Sequence, residues 1–159
     1  MTTAVYPGSF DPPTEGHLNI IRRALKIFDK VIVAVAVNSA KSCTFTAAER
    51  VALLKEICGN DPKLEFDTFQ DKLLVEYARQ KKAGAILRGI RALQDYEYEF
   101  QMALANRQLA PDVETVFLMA ESEYSHLSST LIREIIRLGG SGKGMVPPMV
   151  EKKLKDRLK

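Results

Sequence analysis

The hydrophobic pattern of this chain switches repeatedly between two periods. Thr3 to Tyr6 form a short apolar run closed by Pro7-Gly8, which predicts a strand ending there. From Thr14 to Phe28, Leu18, Ile21, Leu25 and Phe28 recur at helical spacing, with Ile20, Ala24 and Ile27 beside them. Val31 to Val37, VIVAVAV, is apolar at every position. A strand with no polar face must be covered on both sides, so this one is predicted to lie inside a parallel sheet.

The alternation continues to the end. Ala47–Ile57 reads as a helix, Leu64–Phe69 as a strand and Leu73–Lys81 as a helix. AGAILRG is a short buried strand ending at Arg88, Asp95–Leu109 a long helix, VETVFLM a strand and Ser129–Leu138 a helix. Pro147–Leu158 is an amphipathic helix with proline at its start. Strands alternating with helices imply right-handed crossovers, and the predicted fold is a Rossmann-like, doubly wound parallel α/β sheet with helices on both faces. No repeat or linker divides the chain, and 159 residues suit a single domain, residues 1–159.

Composition narrows the function classes. Hydrophobic residues at 46% and charged residues at 27% indicate a folded globular chain. A net charge of +3 is too mild to indicate nucleic-acid binding by charge alone, although clustered cations can still form a local anion site. Cys43 and Cys58 lack metal-ligand spacing and are expected to be free thiols in a reducing compartment. No stretch approaches the roughly 18 apolar residues of a membrane span. MTTAVYPG has no basic region followed by an apolar run. The expected location is the cytoplasm, without nucleic-acid or membrane partners.

In parallel sheets of this kind ligands bind beyond the carboxyl ends of the strands, where strand order switches. Three unusual segments fall there. In YPGSFDPPTEGH, Pro12-Pro13 prevents an early helix start and Thr14 can cap the helix that follows. Gly16 and His17 then sit in its first turn, where free N–H groups welcome an anion. His17 is either a donor beside that anion or a surface histidine at a helix start. In LRGIRALQDYEYEF, Arg88 and Arg91 flank Gly89, where a tight turn is expected. Their planar donor forks suit phosphate, unless they are simply solvated loop arginines. Most of the acidic run Asp95, Glu97 and Glu99 is expected to stabilise a helix N-terminus. In YSHLSSTLIREI, Ser128, Ser129 and Thr130 precede a helix; they serve capping alone, or capping and a ligand. GGSGKG follows a helix and lacks the offsets of a phosphate loop, so it reads as a helix stop and flexible connection. Lys41 follows the all-apolar strand at the ligand-binding edge.

These segments resemble a known family. YPGSFDPPTEGH is similar to the GxFDPxTxGH signature of nucleotidyltransferases with a (T/H)xGH motif. RGIRALQDYEYEFQMALANRQL and ETVFLMAESEYSHLSSTLIREI narrow the resemblance to bacterial phosphopantetheine adenylyltransferase, from Val5 to Pro148. The resemblance implies reversible transfer of AMP from ATP to 4′-phosphopantetheine, giving dephospho-CoA and pyrophosphate. It implies that His17 contacts the α-phosphate and stabilises the transition state. Ser9 would touch both substrates, and the Phe10 backbone would assist ATP. Gly89, Ile90, Arg91, Glu99, Tyr124, Ser125, His126, Leu127, Ser128, Ser129 and Thr130 would hold ATP, while Lys41, Leu74 and Arg88 would hold phosphopantetheine. The resemblance also implies Mg2+ accompanying ATP without protein ligands of its own, a homohexamer, and feedback inhibition by coenzyme A. A nicotinate mononucleotide adenylyltransferase or a cytidylyltransferase would share the opening motif. A non-catalytic nucleotide sensor would keep the pocket alone.

Overall fold

The computed structural model describes residues 1–158; Lys159, the last residue of the predicted domain, lies outside the described residues. Eleven elements alternate as expected: β1 (Thr3–Gly8), α1 (Glu15–Ile27), β2 (Lys30–Val37), α2 (Ala47–Cys58), β3 (Leu64–Gln70), α3 (Leu74–Gln80), β4 (Ala85–Ile90), α4 (Leu93–Leu109), β5 (Glu114–Met119), α5 (Ser129–Arg137) and α6 (Pro148–Leu158). All strand pairings are parallel and the order is β3-β2-β1-β4-β5. The chain winds outward from β1 to β3 and then returns to β4 on the other side of β1. The order therefore switches between β1 and β4, and that crevice is the expected ligand site.

Both faces of the sheet are buried by side chains that alternate along each strand. On β1, Ala4 and Tyr6 join Ile20, Ile21 and Ala24 of α1 and Leu54 of α2 in one apolar cluster. Val5 points the other way, with Ile32 and Ile86, onto Val75 and Ala78 of α3. A third cluster joins Leu53 of α2, Ile132 and Ile136 of α5, and Val150 and Leu154 of α6. β2 lies between β1 and β3, which accounts for its uninterrupted apolar run.

Several boundaries depart from the sequence expectation. β1 does not stop at Pro7-Gly8: Pro7 stays in register with Ala34 and Gly8 with Val35. Pro7 turns its carbonyl to Arg88 of β4 and its register with β4 ends at Val5, so the missing proline N–H interrupts no ladder. Likewise β4 continues past Arg88 through Gly89 to Ile90, in register with β5. Gly89 is a strand residue, not a turn residue. GGSGKG does stop a helix, with Gly139 at φ 87° and Gly140 N–H donating to Ile135 O. The connection is tied down, however, because Ser141 Oγ and Gly142 N–H both donate to Glu151 Oε1, at 3.1 and 2.9 Å. Cys43 and Cys58 are unpaired, and burial pushes the Cys58 thiol up to about 11. No helix among the described residues is long and apolar enough to cross a membrane.

Candidate active site

A cavity of about 340 Å³ opens at the switch point between β1 and β4. That volume falls within the range of small-ligand sites. Of the predicted residues it brings together His17, Arg88, Gly89, Arg91, Glu99, Tyr124, Leu127, Ser128, Ser129 and Thr130.

Two helices aim their N-termini at this space. Thr14 caps α1 by accepting from His17 N–H at 3.2 Å, and Glu15 N–H is taken by Met145 O at 2.8 Å. Among the described residues Gly16 N–H has no protein acceptor, and Gly16 lines the cavity. At α5, Ser128 Oγ accepts from Leu131 N–H, and the amides of Ser129 and Thr130 likewise lack protein acceptors. Free amides and two positive dipole ends make this an anion-seeking pocket without any net side-chain charge. Ser129 Oγ is spent elsewhere, donating to Pro12 O at 2.8 Å and pinning the turn after β1 to α5.

His17 is held in one tautomer. Its Nδ1 lies 3.0 Å from Thr14 N–H and must accept, completing a capping box in which histidine replaces the usual Glu or Gln. The proton is thereby assigned to Nε2. Burial, reinforced by the nearby Arg91 charge, lowers the imidazole to about 4. At neutral pH His17 is thus an uncharged Nε2–H donor. Phe10, at φ 49° and buried, packs edge-on against it with ring centroids 4.8 Å apart. Gly8 leaves room for the same ring, since a Cβ there would stand 3.0 Å from it, a tight contact.

The two arginines are paired. Arg88 Nε donates to Glu99 Oε2 at 2.8 Å and Nη2 to Oε1 at 2.5 Å, while Nη1 donates to Pro7 O. Glu99 is therefore an ion-pair partner rather than a helix-terminus charge. Asp95 accepts from both the backbone and Nε of Arg91, and Arg91 Nη1 donates to Leu127 O at 2.6 Å. A smaller cavity of about 110 Å³, lined by Leu74, Tyr98, Met102 and Asn106, shares the Arg88–Glu99 pair with the first. Leu74 and Arg88, both expected at phosphopantetheine, thus meet in one place.

Other predicted residues lie outside the main cavity. Ser9 is exposed with its carbonyl accepting from Arg50, Ile90 is buried in β4, and Ser125 Oγ donates to Ser122 O. His126 is exposed, and Lys41 sits in an exposed turn beyond β2, its N–H donating to Asn38 O. Sequence reasoning missed three residues that shape the site. The buried Asp11 carboxylate accepts from Thr44 and Phe45 N–H at 2.8 and 2.9 Å. Arg133 donates to Asp11 O, and Arg50 lies beneath Ser9. Asp11 stood inside the quoted motif, but nothing in the spacing of Arg50 or Arg133 marked them. A separate opening of about 360 Å³ between α2 and α6 surrounds Phe45, Glu49 and Arg157 and contains no predicted site residue.

Residues 5–135 match the cytidylyltransferase-like family model. The chain is 54% identical over 151 residues to the phosphopantetheine adenylyltransferase of Geotalea daltonii, covering 95% of this chain and 93% of that protein. The chain belongs to the phosphopantetheine adenylyltransferase family. The enzyme of that name from Thermodesulfovibrio yellowstonii is also 54% identical, over 99% of this chain and 98% of its own. More distant solved structures share the fold. The Plasmodium falciparum nicotinic acid mononucleotide adenylyltransferase complexed with NaAD superposes with a TM-score of 0.71 at 14% identity, over 98% of this chain and 95% of that one. A Vibrio parahaemolyticus protein reaches 0.72 at 18% identity, over 98% and 93%. Membership of the phosphopantetheine adenylyltransferase family accounts for the three segments at the switch point, and the fold is that of nucleotidyltransferases.

Proposed function

We propose that this chain, as one nucleotidyltransferase domain over residues 1–159, catalyses reversible AMP transfer from ATP to 4′-phosphopantetheine, yielding dephospho-CoA and pyrophosphate. One observation carries the reading: relatives that share half of this chain's residues, end to end, bear the name of that activity. A phosphate oxygen of phosphopantetheine, ionised at neutral pH, attacks the α-phosphorus of ATP. A new P–O bond forms there as the bond to the β-phosphate breaks, and pyrophosphate leaves with that electron pair. No general base is needed, so alignment and charge stabilisation suffice.

The cavity's donors support the roles of its residues. The Nε2–H of His17 serves the α-phosphate, and its neutrality keeps it from trapping the ground-state anion as an ion pair. Gly89, Ile90, Arg91, Glu99, the segment Tyr124–Thr130, Ser9 and the Phe10 backbone serve ATP. Arg88, Leu74, Lys41 and Ser9 serve phosphopantetheine. Arg88 and Arg91 reach phosphate by exchanging part of their pairing with Glu99 and Asp95, and Lys41 joins by movement of its exposed turn.

Magnesium comes as part of the ATP substrate. Among the described residues no group of three His, Cys, Asp or Glu side chains could hold a metal, and the nearby carboxylates are engaged by arginines. Phosphates and water complete its shell. We place the protein in the cytoplasm, as a homohexamer subject to coenzyme A feedback. The assembly is supported by α4, whose only buried residues are Glu99 and Asn106 while Leu93, Tyr98, Leu104 and Leu109 are each more than half exposed. Such a face calls for a partner. Pyrophosphate release with ATP plus phosphopantetheine, set against nicotinate mononucleotide and choline phosphate as acceptors, tests the reading. Release with either alternative but not with phosphopantetheine would reject it.

A further inference from the structure

The turn between β1 and α1 has no regular secondary structure, yet it holds a bulky residue, Phe10, in the left-handed region at φ 49°. Such a conformation persists only where its surroundings over-determine it. Here the two carbonyls flanking Phe10 are gripped by guanidiniums from two different helices. Arg50 of α2 donates through Nη1 to Ser9 O at 2.7 Å, and Arg133 of α5 donates through Nη1 to Asp11 O.

Arg50 is the less expected of the two. It is 2% exposed and forms no ion pair among the described residues. Its charge is met instead by carbonyl oxygens: Ser9, Ala36 at 3.3 Å, and through Nε Phe45 at 3.1 Å and Thr46 at 3.3 Å. These belong to the turn after β1, the end of β2 and the start of α2. A buried cation solvated only by backbone is a costly way to fill space, and an apolar side chain would pack α2 without it. What the guanidinium adds is a fixed distance between three segments, set by a planar fork. Beyond Ser9 lies Phe10, whose ring is closed in by Gly8 on one side and abuts His17 on another.

We propose that Arg50 is a positioning residue for the adenylyl transfer: by holding Ser9 O it fixes Phe10, and through Phe10 it keeps the His17 imidazole aimed into the cavity. This rests on the reaction proposed above, and Arg50 itself touches neither substrate.

Arg50→Lys keeps the charge and stem, but one ammonium cannot reach Ser9 O and the Phe45 and Thr46 carbonyls together. Per folded molecule, kcat for dephospho-CoA formation should fall roughly tenfold to a hundredfold, the scale of a displacement of about 1 Å at a catalytic group. KM for both substrates should rise less than kcat falls, since the displaced Ser9–Phe10 turn is only one of several ground-state contacts proposed above. Amide hydrogen exchange should quicken in the Ser9–Thr14 peptide while the interiors of α1 and β2 stay protected. Phe10→Leu keeps an apolar plug but removes the ring from the imidazole; it should reproduce the loss of kcat with Arg50 intact, and it decides the matter if Arg50→Lys does not fold. Wild-type kcat in folded Arg50→Lys, or in Phe10→Leu, overturns the proposal. If the wild-type protein makes no dephospho-CoA, the proposed reaction fails instead, and the exchange experiment alone decides whether Arg50 holds the turn.

Discussion

Replacing His17 with alanine should remove two distinct things. The first, on the mechanism proposed above, is a donor to the transition state, the Nε2–H fixed by the Thr14 contact to Nδ1. Loss of one such donor typically lowers kcat by about 10²–10³. The second is half of the α1 capping box, because Thr14 N–H loses its acceptor. That half is worth about 1 kcal/mol. In a chain of this length the loss shifts Tm by roughly 2–4 °C. His17→Gln separates the two, since glutamine is a natural partner in that box and its carbonyl can accept from Thr14. The glutamine variant should recover most of the lost Tm while kcat stays at least about tenfold down. Steady-state dephospho-CoA formation and thermal denaturation of the same preparations provide both readouts. The pH dependence adds a check with a definite sign. The folded imidazole titrates near 4, below its ordinary 6.5, so the unfolded chain binds the extra proton between those values. Its contribution is therefore complete above about pH 6.5 and is lost as pH falls toward 4, by up to about 3 kcal/mol. The glutamine variant should flatten that window. A His17→Ala enzyme with near-wild-type kcat, or an unchanged pH–stability slope in His17→Gln, would refute the reasoning.

Three further outcomes follow from the packing and the charges. Leu154→Ala, fully buried where α2, α5 and α6 meet, should cost about 3 kcal/mol, lowering Tm by roughly 6–12 °C in calorimetry. The Arg157 guanidinium and Thr46 N–H hold Glu49 down to about 2, so the benefit of this pair exists above about pH 4.3 and disappears as pH falls toward 2. Glu49→Gln should accordingly lower Tm at pH 7, and the gap to wild type should close in acid. Leu104→Glu, on the exposed face of α4, should dissociate the proposed hexamer in sedimentation velocity; an unaltered sedimentation coefficient would argue against an interface on α4.

The alternating architecture was legible because the uninterrupted apolar run of β2 and the one-sided stripe of α1 leave little choice of environment. The strand ends were less so. Pro7 looked like a stop because proline cannot donate, but its carbonyl faces Arg88 and no ladder bond was needed on that side. Gly89 looked like a turn, although β5 extends β4 to Ile90. His17 was legible as a candidate donor because capping, helix dipole and motif spacing all act locally. Its tautomer follows from the equally local Thr14 contact, whereas its lowered pKa depends on burial and on Arg91 coming to it through the fold. Arg88 and Arg91 were legible as cavity cations but not as members of pairs, since spacing does not reveal that Glu99 turns back onto β4. Arg50 was invisible for the same reason: an arginine inside a helical pattern reads as surface until burial is known.

The stereochemistry of transfer tests the account most directly. With one diastereomer of adenosine 5′-O-(1-thiotriphosphate) and phosphopantetheine, the proposed single in-line displacement in the cavity between β1 and β4 should give a thio-dephospho-CoA inverted at the α-phosphorus. Retention of configuration would mean two displacements and an enzyme-bound adenylyl group, and would contradict it.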